Sequence, residues 1–447
     1  MKTVSKKKQK QIEQGSTGSS SAAALRGASE NKAPISAPFG ILNASRSVPK
    51  VCHLEELISL YEFCETMDKS LSTGLHILHD AVAWIDFYVR QNPGMKRALR
   101  ALIQIQTIQA LLRGRYYLSS SQVSTDDAEE LALVPVRLDR KDMIAPAFSS
   151  IKYESDHHYG QLNEPSPHLE TVIKVMACDC LEVALAMETS ATKTPLVLDM
   201  ASMSVPGGGW RKASAAQEEN LHRRTNLMHC LEDPYHVNPD RKWDYPIPQF
   251  GGLYIPNVTV FRGSEAKGYP FLDIPRKVSI VASAALKMPP TETDPHTGEE
   301  VLDRKLARDT LRKIEAILAI AAEHQHTSLV LSAYGCGAYM NPPGHIARLF
   351  KAAIHSERFR GRFANICFAI IDTEAEISSA SCSSTSSSSA PHANPGTGPS
   401  SSSPSSQSSI TPTKVKTHKA IIFARELGVD VLDLNGTVLY TCSNNQK

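Results

Sequence analysis

Apolar positions along this chain fall into two patterns, helical spacing early on and short runs of strand length later. Leu54, Leu57, Ile58 and Tyr61, a stretch from Leu75 to Val89, and then Leu99, Leu102, Ile105 and Leu112 predict a helix-rich region. The 75–89 stretch is shorter than the ~20 apolar residues a membrane span requires. It also contains Asp80 and Asp86, so a buried helix is expected there. Further on, residues 196–201, 251–262, 278–285, 328–331 and 368–372 are runs of strand character. Those at 196 and 328 lead directly into glycine loops, and helical periodicity follows each loop: Leu221, Met228 and Leu231 after the first, Ile346, Leu349, Phe350 and Ile354 after the second. Strand, glycine loop and helix in that order form the ligand-binding edge of an α/β sheet.

The first loop is Pro206-Gly207-Gly208-Gly209-Trp210, and Gln217-Glu218-Glu219 opens the helix after it, with Glu219, His222, Arg223, Asn226 and His229 pointing away from its apolar stripe. Consecutive glycines let backbone N–H groups come closer to a ligand than any Cβ would allow. Adjacent carboxylates beside a sugar could supply a proton to a leaving glycosidic oxygen and negative charge to an oxocarbenium-like centre. The spacing equally admits a structural role, because Ser214 and Gln217 match a capping box and acids are favoured in a helix's first turn. That dipole would lower a glutamate pKa, so acid catalysis requires burial or the neighbouring carboxylate to prevail. The second loop, Gly335-Cys336-Gly337-Ala338-Tyr339, offers N–H groups for a diphosphate, reinforced by a helix N-terminus, and a ring for a ribose or base.

Together these residues resemble the poly(ADP-ribose) glycohydrolase family, in its microbial-type branch built on a macrodomain. The family's mark, three glycines, six to eight residues and then Gln-Glu-Glu, is present with a gap of seven. The resemblance extends through residues 251–262, 278–285 and 335–339 and upstream to the Gly114-Arg115-Tyr116 turn, spanning about 95–372. It implies an α/β fold, a macrodomain-like mixed sheet flanked by helices, with an N-terminal helical accessory region. The implied activity is hydrolysis of ribose–ribose O-glycosidic bonds in poly(ADP-ribose), releasing ADP-ribose without a metal or other cofactor. By the same resemblance Glu219 is the general acid, Glu218 holds ribose hydroxyls, Gln217 supports both, Gly207, Gly208 and Gly209 form the catalytic loop, and Gly335, Cys336, Gly337 and Ala338 bind the diphosphate, with Tyr339 packing on substrate. Asp199 departs from the asparagine common in the family. A non-catalytic ADP-ribose-binding macrodomain and a hydrolase of mono-ADP-ribosyl compounds are the alternatives.

Composition adds boundaries. The 447 residues carry 48 basic and 46 acidic side chains, which gives no overall nucleic-acid signature. Residues 1–50 are different: seven lysines and two arginines stand against Glu13 and Glu30, densest at Lys6 to Lys10. A disordered basic tail is expected there, able to serve as a nuclear localisation signal, as a polyanion contact or merely as a solvated tail. The expected divisions are then an accessory region at 51–150, a catalytic domain at 151–376 and a Ser/Pro-rich disordered linker at 377–412. For 413–447, Ala420–Phe423 and Val429–Leu432 allow a return to the same domain as a last helix or strand, which the pattern alone does not decide. Neither Cys178-Asp179-Cys180 nor Asp156-His157-His158 has the partners a zinc site needs. The scattered cysteines fit a reducing compartment, so the expected location is intracellular, nuclear or cytoplasmic. The expected partners are poly(ADP-ribose) or ADP-ribosylated proteins, with ADP-ribose as product and a place in the DNA damage response. Neither membrane nor sequence-specific nucleic acid is expected as a partner.

Overall fold

The structure, a computed structural model, describes residues 79–119, 133–160, 167–187, 194–371 and 418–442. The basic tail, the first part of the accessory region and the serine-rich linker lie outside the described residues.

Helix α1 (Ala81–Val89) starts where Asp80 accepts the Ala83 N–H at 2.9 Å. Helix α2 (Pro93–Arg113) is capped by Asn92, has proline in its first turn and stops at Gly114, whose φ of 64° ends it in the left-handed conformation. The first of these is less buried than the sequence leads one to expect. Only Trp84 is inside, while Val82 and Val89 are 70% and 62% exposed. Nor is the accessory region purely helical, because β1 (Arg115–Ser119) and β2 (Leu133–Arg137) form an antiparallel ribbon ahead of α3 (Arg140–Phe148). Tyr116 stacks on Phe271 with ring centroids 4.4 Å apart, fastening the ribbon to the central sheet.

That sheet is assembled from β3 (Ile151–Tyr153), β4 (Val172–Met176), β5 (Leu196–Met200), β6 (Gly252–Arg262), β7 (Phe271–Ser283), β10 (Ser328–Leu331), β11 (Asn365–Ala369), β12 (Val431–Leu432) and β13 (Val438–Tyr440). Their spatial order is β13-β12-β4-β11-β10-β5-β7-β6-β3. From β12 to β7 all neighbours are parallel, and antiparallel pairs close both edges. Parallel strands covered on both faces read as unbroken apolar runs, which is why 196–201 and 328–331 stand out in the sequence. Alternate residues of β5 divide between two cores: Leu196 and Leu198 pack with helices α6 (Arg304–Glu323) and α7 (Pro343–Ile354), and Val197, with Ala201 just past the strand, packs with α4 (Cys180–Ala186) and α5 (Gln217–Arg224). A small ribbon of β8 (Thr291–Thr293) and β9 (Glu300–Leu302) lies apart from the sheet.

Residues 418–442 return to this sheet. Helix α8 (Lys419–Leu427) buries Ala420, Ile421, Phe423, Ala424 and Leu427 in the same core as α7, and β12 pairs in parallel with β4. Helix α5, by contrast, is shorter than its apolar spacing implies. Thr225 is extended and bridges to Val260, so Met228 and Leu231 belong to a separate π-type turn. Its polar residues do not face water either: His222, Arg223, Asn226 and His229 are fully buried. No described helix is long and apolar enough to cross a membrane.

Candidate active site

Gln217 brings the glycine loop and the two glutamates together. Beyond Val197 the strands β5 and β10 no longer pair. The Gln217 carboxamide occupies that gap, accepting the Met200 N–H at 2.8 Å and donating to Leu198 O at 2.5 Å. It thereby replaces a missing strand neighbour and fixes the start of α5 on the carboxyl end of β5. The capping-box alternative is not found, since Ala216 is the N-cap and no side chain caps the helix. With Gln217 anchored, Glu218 accepts the Ser202 N–H at 2.8 Å through Oε2, and Glu219 accepts the Gly209 N–H at 2.8 Å through Oε1. At Gly208, φ is 56°, and a Cβ there would stand 3.0 Å from Glu219 Oε1 and closer still to Glu218 Oε2. The loop therefore folds directly against both carboxyl groups, an approach open only to glycine.

Both glutamates are buried, at 4% and 7% exposure, and Asp199 behind them is at 0%. Glu218 Oε1, Glu219 Oε2 and both Asp199 oxygens have no hydrogen-bond partner among the described residues. Burial, then repulsion from Asp199 and Glu219, pushes the Glu218 carboxyl well above the usual carboxylate range despite the backbone N–H groups that favour its anion. Asp199 is pushed up by burial and by Glu219. Burial thus prevails for these two, and Glu218 and Asp199 retain protons at neutral pH. Cys180 is pushed up to about 12, mainly by burial, and is not a nucleophile.

A cavity of about 620 Å³ stands over these groups at the carboxyl ends of β5, β7, β10 and β11, lined there by Met200 and Ser202, Ala285, Ser332 and Ala333, and Ile370. Gly208, Gly209, Gln217, Glu218, Glu219, Gly335, Gly337, Ala338 and Tyr339 all line it. Gly207 and Cys336 do not. Gly207 turns the loop behind Gly208, and the Cys336 thiol contacts Tyr334 O within the loop at 3.5 Å. Residues of α7 are not among the lining. Asn341 holds the second loop, donating to Leu286 O at 2.7 Å and Gly335 O at 3.1 Å. Ser202, Asp179, Arg224 and Lys419 also line the cavity. Ser202, Arg224 and Lys419 lie in no motif that spacing could single out, and Asp179 stands out only within Cys178-Asp179-Cys180, which lacks zinc partners. Arg224 Nη1 donates to both carboxylate oxygens of Asp179 at 2.7 and 2.8 Å, and Lys419 arrives with the C-terminal segment. Among the described residues no three His, Cys, Asp or Glu side chains gather as a metal site.

Residues 105–263 match the family model described as microbial-type PARG, catalytic domain. Among solved structures, poly(ADP-ribose) glycohydrolase from Thermomonospora curvata bound to the inhibitor ADP-HPD is similar at 27% identity, over 62% of this chain and 94% of that one, with a TM-score of 0.46. A second structure of poly(ADP-ribose) glycohydrolase from the same organism is similar at 26% identity over the same shares, with a TM-score of 0.47. Poly(ADP-ribose) glycohydrolase from Deinococcus radiodurans in complex with ADP-ribose is 24% identical over 53% of this chain and 92% of that one, with a TM-score of 0.41. No curated protein is similar enough to match.

Proposed function

We propose, on the premise that residues 105–263 form a microbial-type PARG catalytic domain, that this protein hydrolyses ribose–ribose O-glycosidic bonds in poly(ADP-ribose) and releases ADP-ribose. The observation that carries the mechanism is the double anchoring of the acids: a backbone N–H fixes one oxygen of Glu218 and one of Glu219. Each carboxyl is thereby oriented before substrate arrives, which is the geometric requirement on a general acid.

In this reading Glu219 protonates the ribose oxygen that leaves as the glycosidic C–O bond breaks. Water adds to the anomeric carbon and returns a proton to the Glu219 carboxylate. Glu218, kept neutral by burial and its acidic neighbours, holds ribose hydroxyls. The strand-like grip of Gln217 keeps both in register, Gly208 and Gly209 admit the ribose with Gly207 turning their loop, Gly335, Gly337 and Ala338 receive the diphosphate with Cys336 inside theirs, and Tyr339 packs on the sugar. The substrate's own diphosphate adds negative charge near the developing cation. Polymer or ADP-ribosylated protein is the macromolecular partner. The lysine-rich run Lys6 to Lys10 and the cysteine spacing support a nuclear or cytoplasmic location.

The test compares two substrates, purified poly(ADP-ribose) and mono-ADP-ribosylated protein, with product separated chromatographically. Release of ADP-ribose from polymer with little from the mono-modified protein is expected. Turnover confined to the mono-modified protein would replace this reading with the mono-ADP-ribosyl alternative, and binding without turnover of either would leave a binding module.

A further inference from the structure

The segment from Gly209 to Ser214 forms a tight coil between the catalytic loop and α5. Gly209 O accepts two N–H groups, from Lys212 at 2.8 Å and Ser214 at 3.2 Å, so any shift at 212–214 is passed to Gly209, whose own N–H holds Glu219. Ala213, with φ of 54°, sits in the left-handed region that a residue with a Cβ seldom adopts unaided. Two carbonyls leave this coil, and α2 takes both. Arg97 Nε donates to Lys212 O at 2.6 Å, and Arg100 Nη1 donates to Ala213 O at 3.1 Å. Arg100 also reaches the far side of the same unit. Its Nε pairs with Glu265 at 3.0 Å, Glu265 accepts from Tyr269 Oη at 3.0 Å, and Tyr269 bonds Asn220, the residue directly after Glu219 and part of the cavity wall.

We propose that Arg100 is a positioning residue for the glycohydrolase reaction, its guanidinium holding the catalytic loop at Ala213 and bracing the start of α5 at Asn220, so that α2 is part of the catalytic apparatus. This rests on the function proposed above. A planar fork is needed to serve both partners at once, and lysine offers only a point charge.

The test measures steady-state ADP-ribose release by the full chain, below its melting temperature, for the parent, Arg100→Ala, Arg100→Lys, Arg97→Ala and Glu265→Gln, together with tryptic cleavage after Arg211 and Lys212. A loop displaced by a fraction of an ångström should lower kcat about 10- to 100-fold in Arg100→Ala with KM changed less than about threefold. Arg100→Lys should recover part of that loss. Arg97→Ala removes one exposed bond and should cost about two- to fivefold. Glu265→Gln keeps the Ala213 contact and should stay within about fivefold of the parent. Tryptic cleavage should accelerate in Arg100→Ala. The proposal is overturned if Arg100→Ala keeps kcat within about twofold of the parent, and a loss in Glu265→Gln as large as in Arg100→Ala would overturn the loop contact at Ala213 and leave only the brace at Asn220. Should the parent release no ADP-ribose, the functional reading fails by itself, and the cleavage rates still decide the clamp: unchanged cleavage in Arg100→Ala would refute it.

Discussion

Gly208 shows how little tolerance the site has at the scale of one residue. Its positive φ and the two carboxyl groups packed against it leave no place for a methyl group. Gly208→Ala is expected to lose about 100-fold in activity through displaced glutamates and about 1–3 kcal/mol in stability through strain, read by steady-state kinetics and thermal melting. Asp199 makes a prediction of a different kind. Its folded pKa is raised, so its contribution to stability is complete below its unfolded value near 4 and is lost as pH climbs toward the raised one. Asp199→Asn should therefore gain on the parent in melting temperature as pH rises from about 4 into the neutral range, and a gap independent of pH would count against a buried, protonated Asp199. The glycines and Gln217 to Glu219 were legible because they act within one short stretch of chain. Ser202, Arg224, Asp179 and Lys419 were not, since their place in the cavity comes from tertiary packing and no spacing encodes it.

Among the elements, α5 departs furthest from its sequence pattern. Periodicity reads Leu221, Met228 and Leu231 as one helix, yet Thr225 breaks it, its hydroxyl bonding back to Leu221 O at 2.8 Å while its extended backbone bridges to Val260. Buried hydrogen bonds account for Asn226, which a helical projection would place in water: its Nδ2 donates to Met143 O at 2.8 Å and its Oδ1 accepts the Thr259 N–H at 2.8 Å. The strands were easier to read because burial on both faces leaves continuous apolar runs. The same element carries the Gln217 anchor, and Gln217→Leu would leave the Met200 N–H and Leu198 C=O without it. A loss of about 1–3 kcal/mol in denaturant unfolding is expected, with activity falling further than stability because both glutamates lose their register. Unfolding free energy within about 0.5 kcal/mol of the parent would mean that the strand ends find other partners.

Across the whole molecule, the sheet is completed by residues remote in sequence. The α/β class follows from the run lengths and glycine loops, and the mixed sheet flanked by helices from the family resemblance those loops carry. The two-stranded ribbon at β1 and β2 does not, because its short segments lie in a region otherwise dominated by helical spacing. The C-terminal segment supplies β12, β13, Lys419 on the cavity wall and five buried side chains of α8. A chain ending at residue 417 should therefore lose soluble expression or cooperative melting, and a stable, active truncation would show that the edge is dispensable. In the proposed mechanism an oriented Glu219 donates the proton in glycosidic cleavage, and its sharpest test is ADP-ribose release from purified poly(ADP-ribose) by the parent and Glu219→Gln, with binding of free ADP-ribose measured for both. Release by the parent, a loss of about 10²–10⁴-fold in Glu219→Gln and similar binding by both are expected, whereas release by Glu219→Gln at a rate near that of the parent would contradict this role.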